Sequence, residues 1–138
     1  FSGLAVELKG QLLPGKSGML HTVFQEPYGV VVRIIPFNHP IFFAACKIAA
    51  PLVAGNTVIL KPAEQTPLSA LEMGKYVQEI FPPGVVNIVT GDGPVTGTAL
   101  VKHPKTKRIA LTEGVDTGRT VLKLAAEQGI KYLSKGRL

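Results

Sequence analysis

The sequence predicts an incomplete, doubly wound α/β domain with a mostly parallel sheet, preceded by an N-terminal arm. From residue 28 onward, strand-like segments alternate with helix-like segments, which is the pattern of right-handed βαβ units. The strand-like segments are solid runs of Val, Ile and Leu, typical of strands that are covered on both faces. Of the 138 residues 46% are hydrophobic and 17% are charged, so the chain can build one core.

The elements follow in order. Strands are predicted at 28–35, 57–61, 85–89, 108–112 and 130–134. Helices are predicted at 40–54, from 67 to 80, at 94–103 and at 117–128. Pro40 begins the first helix and Gly55 ends it, as these residue types commonly do. We expect Thr66 and Pro67 to cap and open the second helix.

Residues 4–25 do not share this alternation. They predict two short extended pieces around Pro14 and Gly15, more typical of an arm or hairpin than of a βαβ unit. We therefore divide the chain into an arm at residues 1–25 and an α/β part at residues 26–138.

Several classes of protein can be set aside. The longest apolar region, residues 41–60, is interrupted by Lys47, Pro51, Gly55 and Asn56, which argues against a transmembrane helix. Residues 1–3 have neither an initiator Met nor a charged segment, so we expect no signal peptide and a start inside a longer protein. The single cysteine, Cys46, predicts no disulfide framework and favours a cytoplasmic location. No metal site is predicted.

The net charge of +6 and the pI of about 9.6 raise nucleic acid as a partner. The densest basic stretch, "KHPKTKR" at 102–108, has no aromatic residue on which bases could stack. It lies between a predicted helix and a predicted strand. We interpret it as a solvated connection and predict no nucleic-acid partner.

Polar residues follow each of the first four predicted strands. The four loops are "PFNHP", "KPAEQTP", "TGDGPVTG" and "TEGVDTG". Ligands of open α/β sheets bind beyond the carboxyl ends of the strands, so the sequence predicts a binding site at this edge.

Two of these loops allow two interpretations each. The glycines of "GDGPVTG" could bring backbone amides close to a phosphate, or they could form a tight turn with one packing glycine. Thr96 stands where the dinucleotide fingerprint requires its third glycine. Glu64 could accept both hydroxyls of an adenosine ribose and repel a 2′-phosphate, or it could pair with Lys61 on the surface.

Four stretches carry a resemblance: "EPYGVVVRIIPFNHP", "KIAAPLVAGNTVILKPAEQTPLSAL", "FPPGVVNIVTGDGPVTG" and "GVDTGR". Together they resemble the cofactor-binding domain of the NAD(P)-dependent aldehyde dehydrogenase superfamily, and most closely its members that act on betaine aldehyde. The resemblance implies a Rossmann-like sheet that binds NAD rather than NADP. It also implies that residues 1–25 are a partial oligomerisation arm of a homo-oligomer and that residues 26–138 are a partial NAD-binding domain, truncated before the catalytic domain.

The same resemblance implies roles for individual residues. Asn38 would donate a hydrogen bond from its side-chain amide to the thiohemiacetal oxygen. Such a donor stabilises the negative charge that develops on this oxygen. His39 has no such role, and we assign it to loop packing. Ile34, Ile35, Pro36 and Phe37 would form the wall beneath the cofactor, and Lys61 and Glu64 would bind the adenosine ribose. The other implied cofactor-binding residues are Ala63, Gly93, Gly97, Thr112, Gly114 and Thr117.

The chain departs from this family in three places. The family's nucleophilic cysteine lies downstream, and we interpret Cys46 as a buried structural residue of an apolar helix. The general base belongs to an E-L-G-G-K motif, whereas residues 135–138 are "KGRL". We expect a truncation, a frame change or a junction at about Ser134. Glu113 replaces a glycine after the fourth strand.

These observations favour a fragment of an NAD-dependent enzyme that oxidises a small-molecule aldehyde to a carboxylic acid through a cysteine thiohemiacetal. The fragment would carry the cofactor site and Asn38 and be inactive alone. The alternative is a non-catalytic nucleotide-binding module or pseudoenzyme.

Overall fold

A computed structural model describes residues 2–134 of the chain. Within this range the strands are β1 (Gln11–Leu13), β2 (His21–Val23), β3 (Val30–Ile34), β4 (Thr57–Lys61), β5 (Val86–Ile88), β6 (Thr106–Leu111) and β7 (Lys131–Ser134). The α-helices are α1 (Pro40–Val53), α2 (Leu68–Ile80), α3 (Thr98–Lys102) and α4 (Val115–Glu127). The "KGRL" ending lies outside the described residues.

Five of these strands form one parallel sheet in the order β5-β4-β3-β6-β7. The chain builds outward from β3 through β4 to β5, then crosses back and builds the other half through β6 to β7. Because the direction of building reverses at β3, helices lie on both faces of the sheet. The predicted doubly wound α/β fold is confirmed.

Two apolar clusters fill the space between the sheet and its helices. One lies beneath α3 and α4 and contains Val32, Ile34, Val101, Ile109, Leu111, Val121 and Ala125. The other lies beneath α1 and α2 and contains Ile35, Ala44, Ile48, Val58, Leu60, Ala70 and Val77. In β4, Val58 and Leu60 belong to the cluster beneath α1 and α2, whereas Ile59 packs against the other cluster, as the two-residue period of a strand requires.

The helix ends agree with the sequence at α1 but differ at α2. Pro40 is the first residue of α1, and Gly55 follows its end with φ of +77°, a backbone conformation that suits glycine. The second helix begins at Leu68 without any side-chain cap, and the buried hydroxyl of Thr66 has no partner among the described residues. The prediction that Thr66 caps this helix is therefore wrong, because its hydroxyl does not reach the free amides.

Residues before β3 form the expected arm. A 3-10 helix spans Ser2–Glu7, and β1 pairs with β2 as an antiparallel hairpin around the predicted Pro14–Gly15 turn region. Residues 3–29 are exposed throughout. Across residues 2–134, no helix combines the length and apolarity that crossing a membrane requires.

Asn56 ties the end of α1 to the beginning of β3. Its side-chain oxygen accepts a hydrogen bond from the Gly29 amide at 3.1 Å, and its side-chain nitrogen donates to the carbonyl of Pro51 at 3.0 Å. Only 6% of Asn56 is exposed, so water cannot replace these partners.

We expect Asn56→Ala to lower the free energy of unfolding by about 1–3 kcal/mol, because buried backbone groups would lose their partners. Urea denaturation followed by circular dichroism measures this change. The control is Asn87→Ala, which removes an exposed amide that bonds the carbonyl of Gly84 at 2.8 Å. Equal losses from both variants would contradict the role assigned to Asn56.

Candidate functional site

A cavity of about 510 Å³ opens at the carboxyl edge of the sheet. It is bounded by the ends of β3 and β4, by the segment after β5 and by one side of α4. Five of the predicted site residues line it, namely Ile34, Lys61, Gly93, Gly97 and Thr117. The fold therefore brings together parts of four loops or elements that are far apart in the sequence.

Lys61 is the buried charged residue in the lining of this cavity, which the exposed Asp116 lines as well. Only 4% of the residue is exposed, although it lines the cavity. Its ammonium donates one long hydrogen bond, 3.5 Å, to the carbonyl of Pro62. None of the ion pairs shorter than 4.0 Å in the described part of the chain involves Lys61. A buried ammonium with so little compensation favours a ligand that supplies oxygen acceptors.

Glu113 follows β6 at the same edge and is half-buried. Burial raises the pKa of its carboxyl; the nearby charge of Lys61 works in the opposite direction, and that of Glu64 adds to the rise. These influences place Lys61, Glu64 and Glu113 in one electrostatic neighbourhood. Two carboxylates and one buried ammonium therefore influence one another at this edge.

The other predicted site residues do not line the cavity. Ile35 is 1% exposed and packs in the cluster beneath α1 and α2, on the opposite face of the sheet from Ile34. Pro36 and Ala63 are buried, whereas Phe37, Asn38 and Glu64 are exposed. The structure thus brings Ile34, but not Ile35, into the wall of the cavity, because adjacent strand residues point to opposite faces.

Asn38 and His39 occupy the turn between β3 and α1. Both side chains are exposed, and the His39 ring lies 6.2 Å from the ring of Phe43. His39 makes no side-chain cap for α1. Asn38 is held at the carboxyl end of the central strand with its amide free to meet a ligand from outside the cavity.

Thr112 and Gly114 connect β6 to α4. The Thr112 amide donates to the carbonyl of Ile34 at 3.1 Å, which continues the pairing of β6 with β3 by one residue. Gly114 is exposed and immediately precedes α4. Both residues therefore fix how α4 leaves the sheet and how its side faces the cavity.

The glycine-rich loop is closed by its own aspartate. The Asp92 carboxylate accepts from the amides of Val95, at 2.8 Å, and Thr96, at 3.3 Å. These amides begin a π-helical turn, Gly93–Gly97, which runs into α3 where one short helix was predicted. A side chain at Gly91, whose φ is +142°, would collide with Thr96. Of the two interpretations, the geometry favours the tight turn, because Asp92 already occupies two amides that a phosphate would need.

Sequence reasoning missed about half of the cavity lining. The missed residues are Pro94, Thr98, Asp116, Thr120, Val121 and Leu124. Four of them lie on α4, where spacings of three and four residues place side chains on one side of a helix. That spacing was visible in the sequence, but which side of α4 faces the cavity depends on how the helix crosses the sheet.

Cys46 is not part of this site. It is half-buried in the middle of α1 and is a free thiol. Its helix covers the face of the sheet opposite to α3 and α4, so Cys46 and the cavity lie on different sides of the sheet.

The fold and the cavity define a class: a doubly wound α/β domain with its ligand cavity at the carboxyl edge of the strands, an architecture common among nucleotide-binding proteins. Residues 1–135 match the aldehyde dehydrogenase family. The chain belongs to that family.

Individual relatives agree with this assignment. Retinaldehyde dehydrogenase 3 from Rattus norvegicus is 42% identical over 135 residues, which are 97% of this chain and 26% of that protein. The NAD⁺ complex of aldehyde dehydrogenase from Bacillus cereus superposes with a TM-score of 0.93 at 39% identity, covering 97% of this chain and 28% of that one. Betaine aldehyde dehydrogenase from Staphylococcus aureus, in complex with NAD⁺, superposes with a TM-score of 0.91 at 30% identity. The match covers 96% of this chain and 27% of that one.

The chain thus spans about a quarter of the length of the curated relatives it matches. Solved relatives include complexes with NAD and with NADP.

Glu113 should make stability depend on pH. Because burial raises its pKa above the unfolded value, the folded protein binds its proton more tightly, and stability falls as pH rises from the unfolded pKa through the folded one. Glu113→Gln removes this loss, so its stability relative to the parent chain should increase between pH 4 and pH 7. Urea denaturation of both proteins across that range measures the difference; a difference that stays constant or shrinks with pH would contradict the assignment.

Proposed function

We propose that this chain is the NAD-binding part of an aldehyde dehydrogenase that oxidises a small-molecule aldehyde to a carboxylic acid through a cysteine thiohemiacetal. The observation that carries the proposal is the buried, poorly compensated ammonium of Lys61 in a cavity at the carboxyl edge of the sheet. Membership of the aldehyde dehydrogenase family gives this cavity its chemical context.

The residues around the cavity fit the adenosine half of a dinucleotide. Lys61 can donate to ribose hydroxyls, and the exposed carboxylate of Glu64, three residues later in the loop, can accept from them. Ile34, Val121 and Leu124 supply apolar surface. Side chains at Gly93 and Gly97 would begin in space that no other described segment of the chain fills. Bound NAD would supply the hydride acceptor for the aldehyde.

Glu64 supports NAD over NADP as the cofactor. A carboxylate beside the ribose accepts hydrogen bonds from its hydroxyls, whereas a 2′-phosphate at the same place would be repelled by like charge. The neighbouring carboxylate of Glu113 adds to this negative potential.

Asn38 would act at the reacting carbon. Attack of a thiolate on an aldehyde places negative charge on the carbonyl oxygen, and a side-chain amide donor stabilises that charge more than it stabilises the neutral carbonyl. The exposed position of Asn38 after the central strand leaves its amide available for this contact.

The nucleophile would come from outside this chain. Cys46 is half-buried in α1, away from the cavity, and the chain has no second cysteine. We therefore assign residues 1–25 to a partial oligomerisation arm, residues 26–138 to a partial NAD-binding domain, and catalysis to the homo-oligomeric parent protein. We expect the 138-residue chain alone to be inactive. A cytoplasmic location and the absence of nucleic-acid and membrane partners stay predictions.

A non-catalytic nucleotide-binding module is the second candidate, and Glu113 is the observation that favours it. Its carboxylate adds negative charge beside the cavity, where the phosphates of a dinucleotide would have to approach. The two candidates differ in whether the parent protein turns over an aldehyde.

We expect calorimetric titration of the chain with NAD to show weak or no binding, and Glu113→Gly to improve it. The gain follows from removing a carboxylate that repels the cofactor's phosphates. Adding Lys61→Gln to Glu113→Gly should abolish the gain, since the buried donor would be lost. NADP should bind the Glu113→Gly variant more weakly than NAD does.

The control for this titration is Glu26→Gly, which removes one carboxylate from the exposed segment between β2 and β3. If it improves NAD binding as much as Glu113→Gly does, net charge rather than the site explains the gain. Tight binding of NAD by the unaltered chain would show that Glu113 is no obstacle.

In a full-length aldehyde dehydrogenase that contains this segment, Asn38→Ala should lower kcat by roughly two to three orders of magnitude, the usual effect of losing one oxyanion donor. The affinity for NAD should change far less. Steady-state kinetics and NAD titration of the same protein separate the two effects. His39→Ala is the matched neighbour and should keep normal turnover; normal turnover of Asn38→Ala would mean that Asn38 only shapes its turn.

A further inference from the structure

Two cationic side chains contact Tyr28 on the face of the sheet opposite to α3 and α4, and a third lies near one of them. Arg108 and Lys131 each donate a 3.3 Å hydrogen bond to the Tyr28 hydroxyl. Each charged group also lies 5.1 Å from the centroid of the Tyr28 ring. The third cation, Arg33, is half-buried and close enough to Arg108 for the two positive charges to repel each other. We call these four residues the Tyr28 cluster.

The strands determine which way these side chains point. Arg33, Arg108 and Lys131 alternate with residues that pack beneath α3 and α4, so their own side chains point to the other face. On that other face, α1 and α2 pack over β3, β4 and β5. The helix contacts of β6 and β7 come from α3 and α4 on the first face. Arg108 and Lys131 therefore stand on the half of the sheet beside α1 and α2. Arg33 lies on β3, next to the half that these helices cover.

The positive charge of the Tyr28 cluster is uncompensated in the described residues. The ion pairs shorter than 4.0 Å between residues 2 and 134 join Lys9 to Glu7, Lys75 to Glu72 and Arg119 to Asp116. The Nε atom of Arg33 is buried and has no hydrogen-bond acceptor among the described residues. A half-buried guanidinium with a free donor beside two more cations favours an anionic partner.

We propose that the Tyr28 cluster is a docking site for an acidic polypeptide segment, whose carboxylates pair with Arg33, Arg108 and Lys131. These residues lie on three neighbouring strands, β3, β6 and β7. Arg108 is paired with Lys131, whereas Arg33 is two residues beyond Val31, the partner of Arg108, so the positive charges form a bent row that spans about 10 Å across the strands. Such a row matches successive carboxylates along a peptide better than it matches one small anion. The arrangement disfavours nucleic acid, because Arg108 and Lys131 occupy the Tyr28 ring on which a base would stack.

The test is a titration of the isotope-labelled 138-residue chain with a hexaglutamate peptide, followed by amide NMR shifts. We expect shifts centred on Tyr28, Arg33, Arg108 and Lys131, and an affinity that falls as salt rises. Arg108→Gln and Lys131→Gln should each weaken binding roughly two- to fivefold, the range of exposed ion pairs. Arg33→Gln should weaken it more, because the buried Nε of Arg33 has no other hydrogen-bond acceptor among the described residues. Should Arg33→Gln fail to fold, the Arg108→Gln and Lys131→Gln variants still decide the outcome.

The matched control replaces the exposed Lys102, Lys105 and Lys123 together by Gln, with the same loss of charge as the combined Arg33, Arg108 and Lys131 variant. An equal loss of affinity in the control would overturn the proposal, since binding would then follow net charge. Absence of shifts around Tyr28 would overturn it as well. The proposal would also be overturned if inorganic phosphate or duplex DNA shifted the same amides at a phosphate concentration tenfold below the carboxylate concentration that hexaglutamate requires.

Tyr28 supplies a second, independent readout. The hydrogen bond from Lys131, together with the charges of Lys131 and Arg108, lowers the pKa of its phenol. Carboxylates that neutralise these cations should raise that pKa again. Ultraviolet titration of the chain with and without hexaglutamate, with Tyr28→Phe as the blank, measures the rise; an unchanged pKa under saturating peptide would contradict direct pairing with Arg108 and Lys131.

Discussion

The fold depends on β3, which hydrogen-bonds to a parallel strand on each side. Its register with β4 sets Ile34 beside Lys61, and its register with β6 sets Ile34 beside Leu111. Because parallel strands end at the same edge, these two registers bring the loops after β3, β4 and β6 together. The cavity is therefore a consequence of strand pairing, and its chemistry is supplied by whichever residues happen to follow each strand.

Much of this arrangement could be predicted from the sequence. Solid apolar runs identified five strands, and glycine or proline between them located the turns, because both signals are local. The edge that carries the cavity followed from the strand–helix alternation alone. The membership of the aldehyde dehydrogenase family was carried by motifs that span nearly the whole chain.

The remaining features depend on distant contacts. Ile34 and Ile35 are chemically equal in the sequence, and only the placement of α1 and α4 decides that one lines the cavity and the other fills the opposite core. The hydroxyl of Thr66 was a reasonable cap by residue type, but the chain enters α2 in a direction that leaves it unused. Asp92 was visible as a polar residue of a glycine-rich loop, yet its two amide contacts emerge only once the loop is folded.

The bond between Asn56 and Gly29 bears on the order in which the sheet assembles. It closes a span of 27 residues around α1, whereas the contact of Arg108 with Tyr28 closes a span of 80. Closing a longer stretch of chain costs more entropy, and pairings that need such closure form later. The β3–α1–β4 unit can consequently form as a local nucleus, on which β6 then docks. During synthesis, the β3–α1–β4 unit leaves the ribosome before α4 does. Ile34 and Lys61 of the cavity lining are therefore available before the lining residues of α4 have been made.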